Sequence, residues 1–134
     1  MSFLIDTNVL SEARRHSPPA VAWLRAVDPA ELFLSVVTIG EVAKGIAVRE
    51  RTDPVAAAAL GQWLTGLRHA YADRILPIDD SVATAWGQLM ARRTLPVPDG
   101  LIAATARVHN LRVVTRNVAD FADTGVDVVN PWAA

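Results

Sequence analysis

A chain of 134 residues that is 51% hydrophobic has the length of one domain and enough apolar content for one packed core, so a single domain over 1–134 is expected. With 13 basic against 14 acidic residues, a global positive field for nucleic acid is excluded, and any such contact must be local. Cysteine is absent, which excludes disulfides, thiolate zinc sites and cysteine nucleophiles and makes the cytoplasm the expected compartment.

Ser2 to Ile5 is short and apolar, and with Asp6-Thr7-Asn8 behind it reads as a buried strand ending in a polar turn. No basic leader precedes it, and Asp6 interrupts it too early for a signal peptide. No apolar run approaches the ~20 residues of a membrane helix, so no membrane role is expected. A short helix follows through Arg15 until Ser17-Pro18-Pro19 breaks the chain. Val21, Trp23, Leu24 and Val27 mark a second helix that stops near Asp28-Pro29. Leu32 to Ser35 reads as the second strand.

From Val37 the pattern turns helical, with Ile39, Val42 and Ile46 as the buried stripe and Glu41 in the first half. Asp53-Pro54 starts another helix, with proline at its first position, and the alanine-rich run through Leu60, Leu64 and Leu67 continues it into a helical hairpin. Ile75 to Ile78 is a third short strand. Asp79 or Asp80 caps the helix of Val82, Trp86, Leu89 and Met90, which Pro96-Val97-Pro98 ends. Leu101, Ile102, Thr105 and Val108 define a helix that Asn110 terminates, followed by a strand at Leu111 to Thr115 and a last one at Val126 to Val129. Alternating strands and helices predict an α/β fold: a mostly parallel sheet of four or five short strands, covered on both faces.

In such sheets functional groups collect beyond the carboxyl ends of the strands. Asp6 follows the first strand there, and Asn117 and Asp120 follow the strand at Leu111 to Thr115. Glu41 sits in the helix after the second strand, and Asp99 opens a helix whose N-terminal dipole favours an ionised carboxylate. Four converging carboxylates would repel one another, by roughly 4 kcal/mol per pair at ~4 Å and an effective dielectric near 20. A divalent cation reverses the sign of that energy. Oxygen-only donors suit magnesium or manganese rather than zinc, and such a site readies a water and steadies the charge on a phosphodiester. Taken singly, each acid also serves as an ordinary turn, cap or solvated helix residue, so the joint layout carries the reading.

The segments LIDTNVLSE (Leu4 to Glu12), TIGEVAKG (Thr38 to Gly45), PDGLIAATA (Pro98 to Ala106), VVTRNVADF (Val113 to Phe121) and NPW (Asn130 to Trp132) together resemble PIN-domain toxins of the VapC type, in particular the FitB-like branch. The resemblance runs in order over nearly the whole chain. It implies an α/β/α PIN sandwich and a toxin that cleaves RNA with magnesium, or manganese, held by an acidic cluster. Carried over by motif, Asp6, Glu41 and Asp99 match the core acids and Asp120 the fourth, with Asn117 the alternative holder of that fourth position. Thr7, Asn8 and Thr115 are hydrogen-bonding groups that orient the carboxylates.

The resemblance also implies a small antitoxin of the VapB or FitA kind, seated on the exposed part of the hairpin between Val37 and Tyr71. It further implies a homodimer, and contact with DNA only through the antitoxin. Arg14, Arg15, Lys44 and Arg116 are candidates to hold RNA phosphates. Trp23, Trp63 and Trp86 fall on apolar helix faces and are expected in the core, and His16, His69 and His109 form no metal-ligand spacing.

Two other readings compete. An aspartyl nucleophile for phosphoryl transfer would suit Asp6, but Asn8 stands where a second carboxylate is wanted and Arg116 where lysine is. A binding module without catalysis would not need the full set of acids. No phosphate loop, GxSxG or HExxH pattern occurs.

Overall fold

The structure is a computed structural model and describes residues 1–133. Its elements in chain order are β1 (Phe3–Ile5), α1 (Thr7–Arg14), α2 (Pro18–Ala26), β2 (Leu32–Ser35), α3 (Val36–Glu50), α4 (Pro54–Ala70), β3 (Ile75–Leu76), α5 (Asp80–Arg92), α6 (Val97–His109), β4 (Arg112–Val114) and β5 (Val128–Val129). The five strands form one sheet in the order β3-β2-β1-β4-β5, and every pairing is parallel. The expected α/β sandwich is therefore observed. Among the described residues no helix is long and apolar enough to cross a membrane.

Burial on both faces explains why the strands read as unbroken apolar runs rather than as alternating ones. Successive side chains still point to opposite faces. Leu4 and Val113 pack with Leu89, Ile102, Ala103, Ala106 and Phe121 beneath α5 and α6. Their neighbours Ile5 and Val114 pack on the other side with Val9, Leu10, Leu34 and Leu67, under α1 and α4.

The helix ends follow the capping signals. Asp53 Oδ1 accepts from Ala56 N at 3.1 Å with Pro54 at the first helical position, and Asp79 Oδ1 accepts from Val82 N at 3.0 Å. Asn110 closes α6 in the left-handed conformation at φ 54°, which a short polar side chain tolerates.

Several boundaries move. The strands expected at Ser2–Ile5, Ile75–Ile78, Leu111–Thr115 and Val126–Val129 shrink to the residues that find a ladder partner. Pro98 does not end the preceding unit but lies in the first turn of α6, where its missing N–H costs nothing. In α3 the buried positions are Thr38 and Val42, while Ile39 and Ile46 are only half-buried. Short 3-10 turns at Pro29–Glu31 and Val118–Phe121 carried no periodic signal.

Candidate active site

Asp6 is both the residue after β1 and the N-cap of α1, so the strand end and the helix start together fix its carboxylate at the carboxyl edge of the sheet. β1 is also where the strand order reverses direction, which opens a crevice between β1 and β4. Oδ1 of Asp6 accepts from Thr7 N at 2.8 Å. Oδ2 accepts from the Thr115 hydroxyl at 2.8 Å and from Asn8 Nδ2 at 3.2 Å. Asp6 is 5% exposed. Burial raises its pKa from 3.8 to about 6, the charges of Asp99 and Glu41 add to the rise, and the bonds from Thr115 and Thr7 hold it back.

Thr115 organises the second strand end. Its one proton goes to Asp6, and its oxygen accepts from Asn117 N at 3.0 Å and Asn8 Nδ2 at 3.2 Å. Asn8 closes the loop by accepting from Arg116 N at 3.2 Å. Thr7, Asn8 and Thr115 each hydrogen-bond to a carboxylate of Asp6 or Glu41.

Glu41 is held from below. The Thr7 hydroxyl lies 2.7 Å from Glu41 Oε1 and 3.0 Å from Thr38 Oγ1. One hydroxyl has one proton, so Thr7 donates to the carboxylate and Thr38 donates to Thr7. Thr38 is fully buried, and its place three residues before Glu41, on the same helix face, was the signal by which it could have been singled out.

Asp99 stands in the first turn of α6. Burial raises its pKa, and the charges of Asp120 and Glu41 raise it further. Asp6, Glu41 and Asp99 line one cavity of about 380 Å³ together with Thr7, Asn8, Ser11, Glu12, Arg15 and Asn117. Asp120 is not on that lining. The 3-10 turn begins with Asp120 N donating to Asn117 O at 3.1 Å; Asn117 lines the cavity, and the charge of Asp120 acts on Asp99.

Among the described residues no three Asp, Glu or His side chains are drawn together as a closed metal shell. The donor chemistry fits a hard cation all the same: the acids are oxygen donors, they repel one another, and the cavity has room for the waters that magnesium keeps while using one or two carboxylates.

The basic residues separate. Arg15 lines the acid cavity and lies 3.6 Å from Glu12. Arg14 lies over the Trp63 ring at 5.7 Å. Arg116 lies over Trp132 at 4.8 Å and reaches Glu12 at 4.0 Å, and Lys44 is exposed on α3 outside both cavities that α1 lines. Trp23 packs in the core as expected, in edge contact with Phe3 at 5.0 Å. Trp63 packs against the core yet also lines a groove.

A parallel sheet covered on both faces, with carboxylates gathered at the crevice where its strand order reverses, defines an α/β protein with an acidic cleft. The chain belongs to the PIN-domain family, whose model matches residues 3–126. It is 36% identical to Toxin FitB of Neisseria gonorrhoeae over 96% of this chain and 97% of that protein. With the VapC ribonuclease Y4jK of Sinorhizobium fredii it shares 33% identity over 96% of each. The crystal structure of FitAcB from Neisseria gonorrhoeae superposes with a TM-score of 0.89 at 34% identity, covering 98% of this chain and 99% of that one. PIN-domain ribonucleases of the VapC type generally depend on a divalent metal.

Proposed function

We propose that this chain is the toxin of a type II toxin–antitoxin pair and a magnesium-dependent endoribonuclease that hydrolyses RNA phosphodiester bonds. The observation that carries the reading is the burial of Asp6 beside two further carboxylates on one cavity wall, a arrangement of like charges that calls for a cation. Asp6, Glu41 and Asp99 are the residues that would hold magnesium, or manganese in its place, with Asn117 or Asp120 completing the set. When bound, the ion supplies a reactive water and neutralises charge on the phosphate.

The rest is the work of the chain itself. Thr115, Asn8 and Thr7 N aim the Asp6 carboxylate, and the Thr7–Thr38 pair aims Glu41. Arg15, on the cavity wall, is placed to meet an incoming phosphate. Arg14, Arg116 and Lys44 meet further phosphates of the same strand.

A small antitoxin of the VapB or FitA kind restrains the toxin, as the likeness to FitAB and VapBC complexes supports. It seats on the exposed part of the α3–α4 hairpin, the toxins pair as a homodimer, and DNA is reached only through the antitoxin. The cytoplasm is where substrate and partner meet the chain.

The test is sequencing of 5′ ends in total RNA after inducing wild type and Asp99→Asn side by side, with cleavage by the purified chain measured in magnesium, calcium and EDTA. New 5′ ends with wild type alone, and cutting in magnesium alone, are expected. Equal cutting in EDTA would overturn the metal role.

A further inference from the structure

Arg93 ends α5, and its own N–H closes the helix on Leu89 O at 3.0 Å. Its backbone is then extended, at φ −150° and ψ 128°, and the chain runs through the buried Leu95 into α6, where Asp99 stands in the first turn. From this junction Arg93 Nη2 donates to Ala119 O at 3.1 Å, across 26 residues of sequence. That carbonyl and the N–H of Asp120 belong to one peptide unit, which is planar and stiff. The N–H edge donates to Asn117 O at 3.1 Å. The plane that leads into Asp120 is thus gripped at both edges, once by the 3-10 turn itself and once by a side chain from the end of α5.

Among the described residues the other side-chain bonds to the backbone of this turn are made by Thr115, which accepts from Asn117 N, and Thr124, which donates to Phe121 O. These come from two and three residues away along the chain, so they shape the turn without referring it to α6. Arg93 alone does that. It has no carboxylate within ion-pair distance among the described residues, and its Nη1 is buried there without a hydrogen-bond partner. An unpaired buried donor lowers stability, so packing alone would favour an apolar side chain at this position. We infer that Arg93 is a positioning residue: it fixes the orientation of Asp120 relative to Asp99, and with it the charge that the acid cluster presents to a cation. The charge of Asp120 acts on Asp99, and that action weakens with separation. A turn that drifts would therefore hold a cation less well. The consequence for the cation rests on the nuclease reading, whereas the clamp on the turn does not.

The experiment compares the full chain with Arg93→Met, which keeps an apolar stem and loses the guanidinium, and Arg93→Lys, which keeps the charge and one donor group. Hydrogen exchange in EDTA reads the turn without metal or RNA. The amides of Asp120 and Ala122 are expected to exchange about fivefold faster in Arg93→Met, the factor for one hydrogen bond, with those of β4 unchanged and Tm close to wild type. Calorimetric titration with manganese should give an affinity about fivefold lower for Arg93→Met. That loss should largely disappear when Asp120→Asn is also present, because the two residues act as one unit. Arg93→Lys should restore most of both readouts. Unchanged exchange in the turn overturns the inference, as does a loss of manganese affinity that adds to that of Asp120→Asn. If Arg93→Met does not fold, Arg93 is a structural support and the inference falls. A wild type that binds no manganese and leaves RNA uncut, with the turn loosened in Arg93→Met as expected, would sink the nuclease reading and keep the clamp. Faster exchange with manganese affinity untouched would do the reverse.

Discussion

The hydroxyl of Thr115 donates to Asp6 Oδ2 at 2.8 Å in a fully buried contact that joins residues 109 apart in the chain. Hydrogen bonding to the ionised form is what opposes the desolvation of Asp6. Thr115→Val removes that donor and is expected to push the Asp6 pKa above about 6. It should also lower cleavage at neutral pH about 10–100-fold, the usual cost of losing a partner of a metal-holding group. Thr115→Ser keeps the donor and should keep most of the activity. A rate for Thr115→Val equal to wild type would show the bond to be idle.

The raised pKa of Asp6 also sets a pH dependence of stability. The folded chain holds the proton up to about pH 6, whereas the unfolded chain releases it near 3.8. Stability in the absence of metal is therefore greatest below 3.8 and declines as pH rises toward 6, by about 3 kcal/mol from this group. Asp99, also raised, acts in the same direction, while the lowered pKa of Glu31, held down by the Ser2 hydroxyl, opposes it. Thermal unfolding in EDTA should show Tm falling over this window for wild type, with a smaller fall for Asp6→Asn. At pH 7.5 Asp6→Asn should be the more stable protein without metal, and magnesium should raise the Tm of wild type but not of the variant. A flat profile for both would mean that Asp6 is not desolvated.

Asn117 lines the acid cavity and Asp120 does not. Asp99→Asn is accordingly expected to abolish measurable cleavage. Asp120→Asn should cost no more than about tenfold, in the range of an outer partner, because its charge acts through Asp99. Asn117→Ala should cost more than Asp120→Asn. Single-turnover rates at saturating magnesium decide the order, and equal losses for Asp99→Asn and Asp120→Asn would put Asp120 among the ligands.

Gly100 follows Asp99 directly, and a Cβ there would meet Met90 Sδ at 3.0 Å and Trp86 Nε1 at 3.1 Å. The thioether can swing aside, but the indole is held between α5 and α6. Gly100→Ala gains helix propensity and loses more to overpacking, for a net destabilisation of about 1–2 kcal/mol. Shifting the first turn of α6 also moves Asp99, so activity should drop further than stability alone explains. Urea denaturation and cleavage rates on the same samples would separate the two effects, and a more stable, fully active Gly100→Ala would show that the helices have slack.

Much of this was legible in the chain because the signals are local. Apolar runs bounded by Asp6-Thr7-Asn8 or Pro131, and caps such as Asp53-Pro54 and Asp79, mark where elements start and stop. Two-residue strands such as Val128–Val129 were overestimated because ladder partners, not composition, fix their length. The acids at Asp6, Glu41 and Asp99 were found by motif and meet on one wall. Asp120 lies in a 3-10 turn, which has no periodicity to read, and it is Asn117 at the head of that turn that lines the cavity. Thr38 shares a helix face with Glu41, a signal present in the spacing, but the Thr7 hydroxyl 3.0 Å from it comes from another helix and only the fold brings it there.

The first strand to be synthesised occupies the middle of the sheet, and its neighbour on one side, β4, comes from the far part of the chain. During translation the earliest acid therefore waits, without its threonine donor, until residue 115 has been added. A chain that stops short of β4 lacks both the Thr115 donor and the strand that forms the far side of the crevice beside Asp6. Assembly from distant parts thus makes the acid pocket a property of the finished sheet rather than of any one segment.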